Sequence, residues 1–127
     1  MDLTELIGAA RSIAGQFNTA GCVAAGSVGA AIRSASGATY TGICIDAACG
    51  IGFCAEHAAV AEMLKHRESD IVAMVAVGDN GKILPPCGRC RELIYQLSPA
   101  NLDAVVQVAE QDQCQLRELL PRGWDYK

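Results

Sequence analysis

Two short segments constrain this chain more than anything else in it: Cys54-Ala55-Glu56 and, further on, Pro86-Cys87-Gly88-Arg89-Cys90. Each opens a stretch of helix-forming residues. The fold therefore has to bring two helix N-termini together if the cysteines are to act as one group. Cys87 and Cys90 are three apart, so they share a face of a first helical turn, and Cys54 must arrive from the neighbouring helix. Exposed backbone N–H groups and the positive end of the helix dipole favour thiolates at such positions. Three thiolates and one carboxylate are what a hydrolytic zinc site needs: three protein ligands, a fourth position open to water, and a nearby Glu that moves protons without binding the metal.

On this reading Cys54, Cys87 and Cys90 hold one Zn²⁺ per chain and Glu56 is the catalytic proton carrier. Three thiolates leave the centre with a net negative charge. His57, Arg89 and Arg91 are the candidates to offset it by donating to the sulfurs, and His57 is favoured because it directly follows Glu56. A fourth protein donor, from Cys44, Cys49 or His57, would instead close the centre into a structural zinc knuckle. Cys-x-x-Cys alone is only moderately specific. Joined to an upstream Cys-x-Glu on a helix, it is the signature of zinc enzymes that remove an amine from a nucleobase ring.

The remaining composition narrows the partner. A formal charge of −4 argues against a nucleic-acid polymer, which calls for a basic stripe, and fits a small nucleoside-like molecule. The 127 residues suit one domain, 1–127, which would bury roughly two-thirds of its unfolded surface. With 51% hydrophobic and only 19% charged residues, a compact core and buried subunit interfaces are expected. The acidic start, Met1 to Glu5, lacks a signal-peptide pattern. No run approaches the ~20 apolar residues of a membrane span. Seven cysteines, an odd number, point to a reducing cytoplasm.

Leu3, Leu6, Ile7, Ala10, Ile13, Ala14 and Phe17 recur at helical spacing and predict a helix from about 2 to 18. Apolar stretches at 22–32 and 39–45, parted by Ser34-Ala35-Ser36-Gly37, predict a β-hairpin. Helices are expected over 55–66 and 87–97, strands over 71–77 and 104–109, and a short helix over 116–120 before Pro121. Strands alternating with helices imply a layered α/β domain with helices on both faces of a mixed sheet. Phe17 and Phe53 read as core or as stacking groups, while Trp124 and Tyr126 either close a neighbouring pocket or simply pack.

These residues give the chain a resemblance to the cytidine deaminase family, nearest in look to its blasticidin-S deaminases. Ser27-Val28-Gly29-Ala30-Ala31, Tyr40-Thr41-Gly42, both cysteine segments and Arg117-Glu118-Leu119-Leu120-Pro121 appear in the family's order. The resemblance implies a three-layer αβα sandwich around a five-stranded mixed sheet, a homotetramer, and the metal and proton roles already named. It implies deamination of cytidine or deoxycytidine, or of a nucleoside antibiotic or other modified aminopyrimidine nucleoside. Cys44, Asp46 and Ala55 become the substrate-contacting positions. Cys44 and Asp46 stand where the family places Asn-x-Glu to hold ribose hydroxyls, and Cys44 cannot replace an amide's paired donor and acceptor. Gly26 and Ser27 stand where the family places an aromatic.

Overall fold

The computed structural model describes residues 1–124, so Tyr126 lies outside the described residues. The strand β4 (Ile71–Gly78) is apolar along its whole length and buried at every position but Val72, as a strand covered on both faces must be. The neighbouring strand β2 (Ala24–Ser34) runs antiparallel to it. On its other edge β2 pairs antiparallel with β3 (Thr39–Asp46). Beyond β4 lies β6 (Val105–Ala109), the one parallel neighbour among the described strands. The last, β7 (Asp112–Gln115), folds back antiparallel onto β6. Two-residue strands complete the edges: β1 (Phe17–Asn18) on β2 and β5 (Ile83–Leu84) on β4. The sheet thus has seven strands where five are expected, because these two short pairings are added to the expected body.

Side chains alternate across the sheet and define two cores. Ala31, Ala73, Val75 and Val77 meet Leu3, Leu6 and Ala10 of α1 (Thr4–Ile13). On the opposite face, Ile32, Met74 and Val106 meet Ala59, Val60 and Met63 of α2 (Ala55–Lys65) and Ile94 of α3 (Gly88–Leu97). Leu116, which opens the short helix α4 (Leu116–Leu119), is fully buried in the same layer. This is the expected three-layer sandwich.

The helix expected to reach residue 18 ends at Ile13. Gly15 instead donates its backbone N–H to Gly26 O at 2.7 Å, and Phe17 pairs with Ala25. Phe17 is 54% exposed, so its place in the helical pattern does not make it core. Gly26 adopts φ +88° inside the bulge of β2, and a Cβ there would strike Gly15 O. Among the described residues no helix is long and apolar enough to cross a membrane.

The placement of α2 depends on a close approach to β3. A Cβ on Gly42 would lie 2.6 Å from Ala58 Cβ and 2.7 Å from Ala55 O, and closer still to Ala59 N. The helix can sit this near because its facing residues are alanines. Gly42→Ala must push the start of α2 outward, an overpacking cost of about 1–3 kcal/mol. Urea unfolding of the metal-free variant should show that loss with an unchanged m-value.

Past the end of α2, Glu68 ties the β2–β3 turn to this layer. Hydrogen bonds from Ser36, Tyr40 and Ser34 hold its carboxyl below the usual carboxylate range. The same Tyr40–Glu68 bond, with burial, pushes the Tyr40 hydroxyl up to about 12. A carboxyl depressed in the folded state stabilises above its unfolded pKa and loses that contribution as pH falls through the folded value. The stability gap between wild type and Tyr40→Phe should therefore be full at neutral pH and shrink below about pH 4.5, measured by denaturant unfolding at stepped pH.

Candidate active site

Cys54 caps α2 and Cys87 caps α3, both in extended backbone conformation, and Cys90 lies in the first turn of α3. The two helix starts face each other. Cys54 Sγ is 3.3 Å from Cys87 Sγ, which is 3.5 Å from Cys90 Sγ. The ligand atoms of Cys54, His57 and Cys90 all lie within 4.8 Å of one another. A tetrahedral ion with bonds of about 2.3 Å would set its sulfurs about 3.8 Å apart, so the three thiols fit a zinc ion.

Their electrostatics agree. Burial and then contact with Cys87 push the Cys54 thiol up. Burial and the Glu56 carboxylate push Cys90 up strongly. At Cys87 burial acts in the same sense but is outweighed by hydrogen bonds from the Cys90 backbone and the Cys54 thiol, so its pKa falls. Three thiols this close resist ionising together, and a divalent cation is the group that would let them do so.

Glu56 follows Cys54 in the first turn of α2, 4% exposed, with its carboxyl on the wall of a cavity of about 510 Å³. Burial pushes its pKa up, against hydrogen bonds from its own backbone and the Cys90 thiol. A carboxyl whose proton affinity is raised in this way suits a group that passes protons. His57 directs Nδ1 toward Cys90 Sγ at 3.5 Å. Burial and the nearby Arg89 guanidinium lower its pKa.

Of the donors that would close the centre, only His57 stands with the cluster. Cys49 is exposed on a 3₁₀ turn, Ala48–Gly50. Cys44 lines the cavity but is turned to β2. Its sulfur accepts the Val28 backbone N–H at 3.3 Å and lies 3.2 Å from Ser27 Oγ. Asp46 lines the cavity as an exposed residue, and Ala55 is a fully buried part of its wall. Arg89 is exposed and also lines it. Arg91 is placed differently from its expected role. Its Nε donates to Pro86 O at 2.8 Å and one Nη to Leu119 O at 3.1 Å, so these donors go to backbone carbonyls and not to sulfur.

Ser27, noted from sequence only as standing where the family places an aromatic, reaches the cavity from the β2 bulge. Among the lining residues that sequence reasoning gave no part in the site are Ala76 of β4 and Leu84 of β5, apolar residues whose pattern marks them only as strand. Phe53 is the aromatic side chain of the wall, 36% exposed, with its ring at 21° to that of His57 and the centroids 6.5 Å apart.

No protein-family profile matches the chain. A cytidine deaminase of Halalkalibacterium halodurans is 33% identical over 97 residues, 74% of each chain. A blasticidin-S deaminase of Bacillus cereus is 29% identical over 103 residues, again 74% of each. The crystal structure of cytidine deaminase from Mycobacterium tuberculosis superposes with a TM-score of 0.82 at 26% identity, covering 99% of both chains. That of Burkholderia pseudomallei gives 0.75 at 25%, covering 98% of this chain and all of the other. A sheet, two helix starts and a cysteine cluster arranged as above, in a chain this similar over its length to those enzymes, mean that it belongs to the cytidine deaminase family.

Proposed function

We propose that the protein is a zinc-dependent hydrolytic deaminase that converts the 4-amino group of a cytosine-type nucleoside, cytidine or deoxycytidine, to a carbonyl and releases ammonia. The observation that carries this reading is the convergence of three sulfurs beside a buried Glu56 on the wall of a nucleoside-sized cavity. Cys54, Cys87 and Cys90 would hold the ion. When bound, zinc would supply the Lewis acidity that makes water a nucleophile at neutral pH.

Glu56 does the proton work. It takes a proton from the attacking water and delivers it to the ring nitrogen beside the amine-bearing carbon. It then takes the second proton from the new hydroxyl and gives it to the departing amine, which leaves as ammonia. Its burial supports this role, because it raises the proton affinity of the carboxylate that must accept each proton before passing it on. His57, as a neutral imidazole with its proton on Nδ1, donates a hydrogen bond to the Cys90 sulfur, and Arg89 supplies the positive charge that offsets the thiolates. Arg91 contributes through the backbone of the cysteine loop. Asp46 and Ala55 contact the substrate from the cavity wall. The full chain acts as one domain, and the exposed Phe17 and Ile51 support a homotetramer. Seven cysteines support a cytoplasmic setting.

A second reading, a blasticidin-S or other modified aminopyrimidine nucleoside as substrate, is favoured by Cys44. Its sulfur is already engaged by Val28 and Ser27 and offers a sugar little hydrogen bonding. Parallel ultraviolet-absorbance assays on cytidine, deoxycytidine, cytosine and blasticidin S separate the two. Cys44→Asn supplies an amide's donor and acceptor. It should raise kcat/KM for cytidine about tenfold, the worth of one well-made hydrogen bond; an unchanged or lower value would remove Cys44 from the substrate's reach.

A third reading, a non-catalytic zinc-stabilised module, makes His57 a fourth ligand and tolerates loss of the carboxylate. Glu56→Gln decides against or for it. Turnover should fall by about 10²–10⁴ while zinc content and unfolding midpoint hold. Undiminished turnover would remove Glu56 from the chemistry.

A further inference from the structure

The three sulfurs are not held equally. Cys54 follows Phe53, whose backbone is bonded both ways to Ile45 of β3 at 2.9 and 3.0 Å. Cys90 is fully buried within α3. Cys87 is an exposed residue on the turn before that helix. The backbone N–H of Arg91 meets Cys87 O at 3.1 Å, and the Arg91 side chain then reaches back past it. Nε binds Pro86 O at 2.8 Å and Nη1 binds Leu119 O at 3.1 Å.

One guanidinium therefore ties the residue before Cys87 to the last residue of α4. That end is itself firm, because α4 carries a Gln115–Glu118 capping box and its Leu116 is fully buried. Two donors fixed in one plane suit two carbonyls on separate segments, which a lysine ammonium cannot reproduce.

We infer that Arg91 is a positioning residue for the metal centre, fastening the Cys87 turn to the C-terminal helix so that this sulfur stays within 3.3 Å of Cys54 and 3.5 Å of Cys90. The inference rests on the proposed metal role of these cysteines. It makes the C-terminal helix part of the metal centre, although that helix contributes no ligand.

The neighbouring residue supplies a control. Glu92 Oε1 accepts the Trp124 backbone N–H at 2.9 Å, so Glu92 also holds the C-terminal segment, by a bond that does not run through Pro86. The test is zinc release from the loaded full-length protein into excess chelator, followed with a metal-sensitive dye. Arg91→Gln should release zinc at least about tenfold faster than wild type, with Arg91→Lys between the two and Glu92→Ala at the wild-type rate. In cobalt-loaded Arg91→Gln the thiolate-to-metal absorption should weaken as Cys87 leaves the centre. If Arg91→Gln does not fold, Arg91→Lys carries the test, still releasing faster than wild type. Wild-type release and an unaltered cobalt spectrum in the Arg91 variants would overturn the inference. So would equal acceleration in Glu92→Ala, which would mean general loosening of the C-terminal segment. A wild-type protein that takes up no zinc would overturn the ligand reading itself, a result distinct from either.

Discussion

The rest of the structure depends on the meeting of two helix N-termini over one face of the sheet. Sulfurs 3.3 and 3.5 Å apart leave almost no tolerance in where α2 and α3 begin. Both helices leave the sheet from strands that β2 and β4 lock in register. A one-residue slip in β3 would turn its inward residues outward. It would also take Gly42 away from Ala55 and Ala58, and the start of α2 would move with it. The centre is thus a reporter of the whole sheet's register.

Small residues make this precision attainable. Ala30, Ala31, Ala55, Ala59, Ala73 and Ala76 are all buried, and at Gly42 the helix backbone nearly touches the strand. Such packing brings helix and sheet closer than a layer of leucines would. It also leaves few rotamers to choose between, so the ligand positions are held by backbone contact more than by long side chains. Asn101 adds to this on the far side. Its fully buried amide accepts from the Ile71 backbone N–H at 2.7 Å and donates to Ser69 O and Ile94 O at 3.0 and 2.9 Å. One side chain thereby joins the start of β4 to α3.

Much of this was legible in the sequence wherever burial or chemistry repeats at a fixed spacing. The apolar run at 71–77 and the helices after Cys54 and Cys87 lie within a residue or two of the expected bounds. Which four residues gather at the helix starts was legible because Cys-x-Glu and Cys-x-x-Cys have little other reason to open helices. Strand β7, sequence Asp-Gln-Cys-Gln, was not, because an edge strand that buries little needs no apolar alternation. The end of α1 was missed because Gly15 finds its partner in Gly26, a contact between segments that local periodicity does not encode. The acceptors of Arg91 were invisible for a similar reason. A backbone carbonyl has no sequence signature, so a charged residue beside a ligand reads as a partner for sulfur.

The cavity wall divides along the same line. One end is formed by Cys54, Glu56 and Cys87, which share one pair of helix starts with the buried Cys90. Its other end is built from the β2 bulge, the end of β3 and the turn that follows, where Ser27, Cys44, Asp46 and Phe53 stand. Residue 26 in the bulge has to be glycine because a Cβ there would strike Gly15 O, and that requirement is indifferent to which side chain follows at 27. The thiol of Cys44 is likewise fixed by β2 and not by the three clustered cysteines. Substitutions at 27, 44 or 46 can therefore reshape that end of the cavity while the two helix starts stay in place. The shape of that end of the cavity is thus set apart from the two helix starts that gather Glu56 and the cysteines.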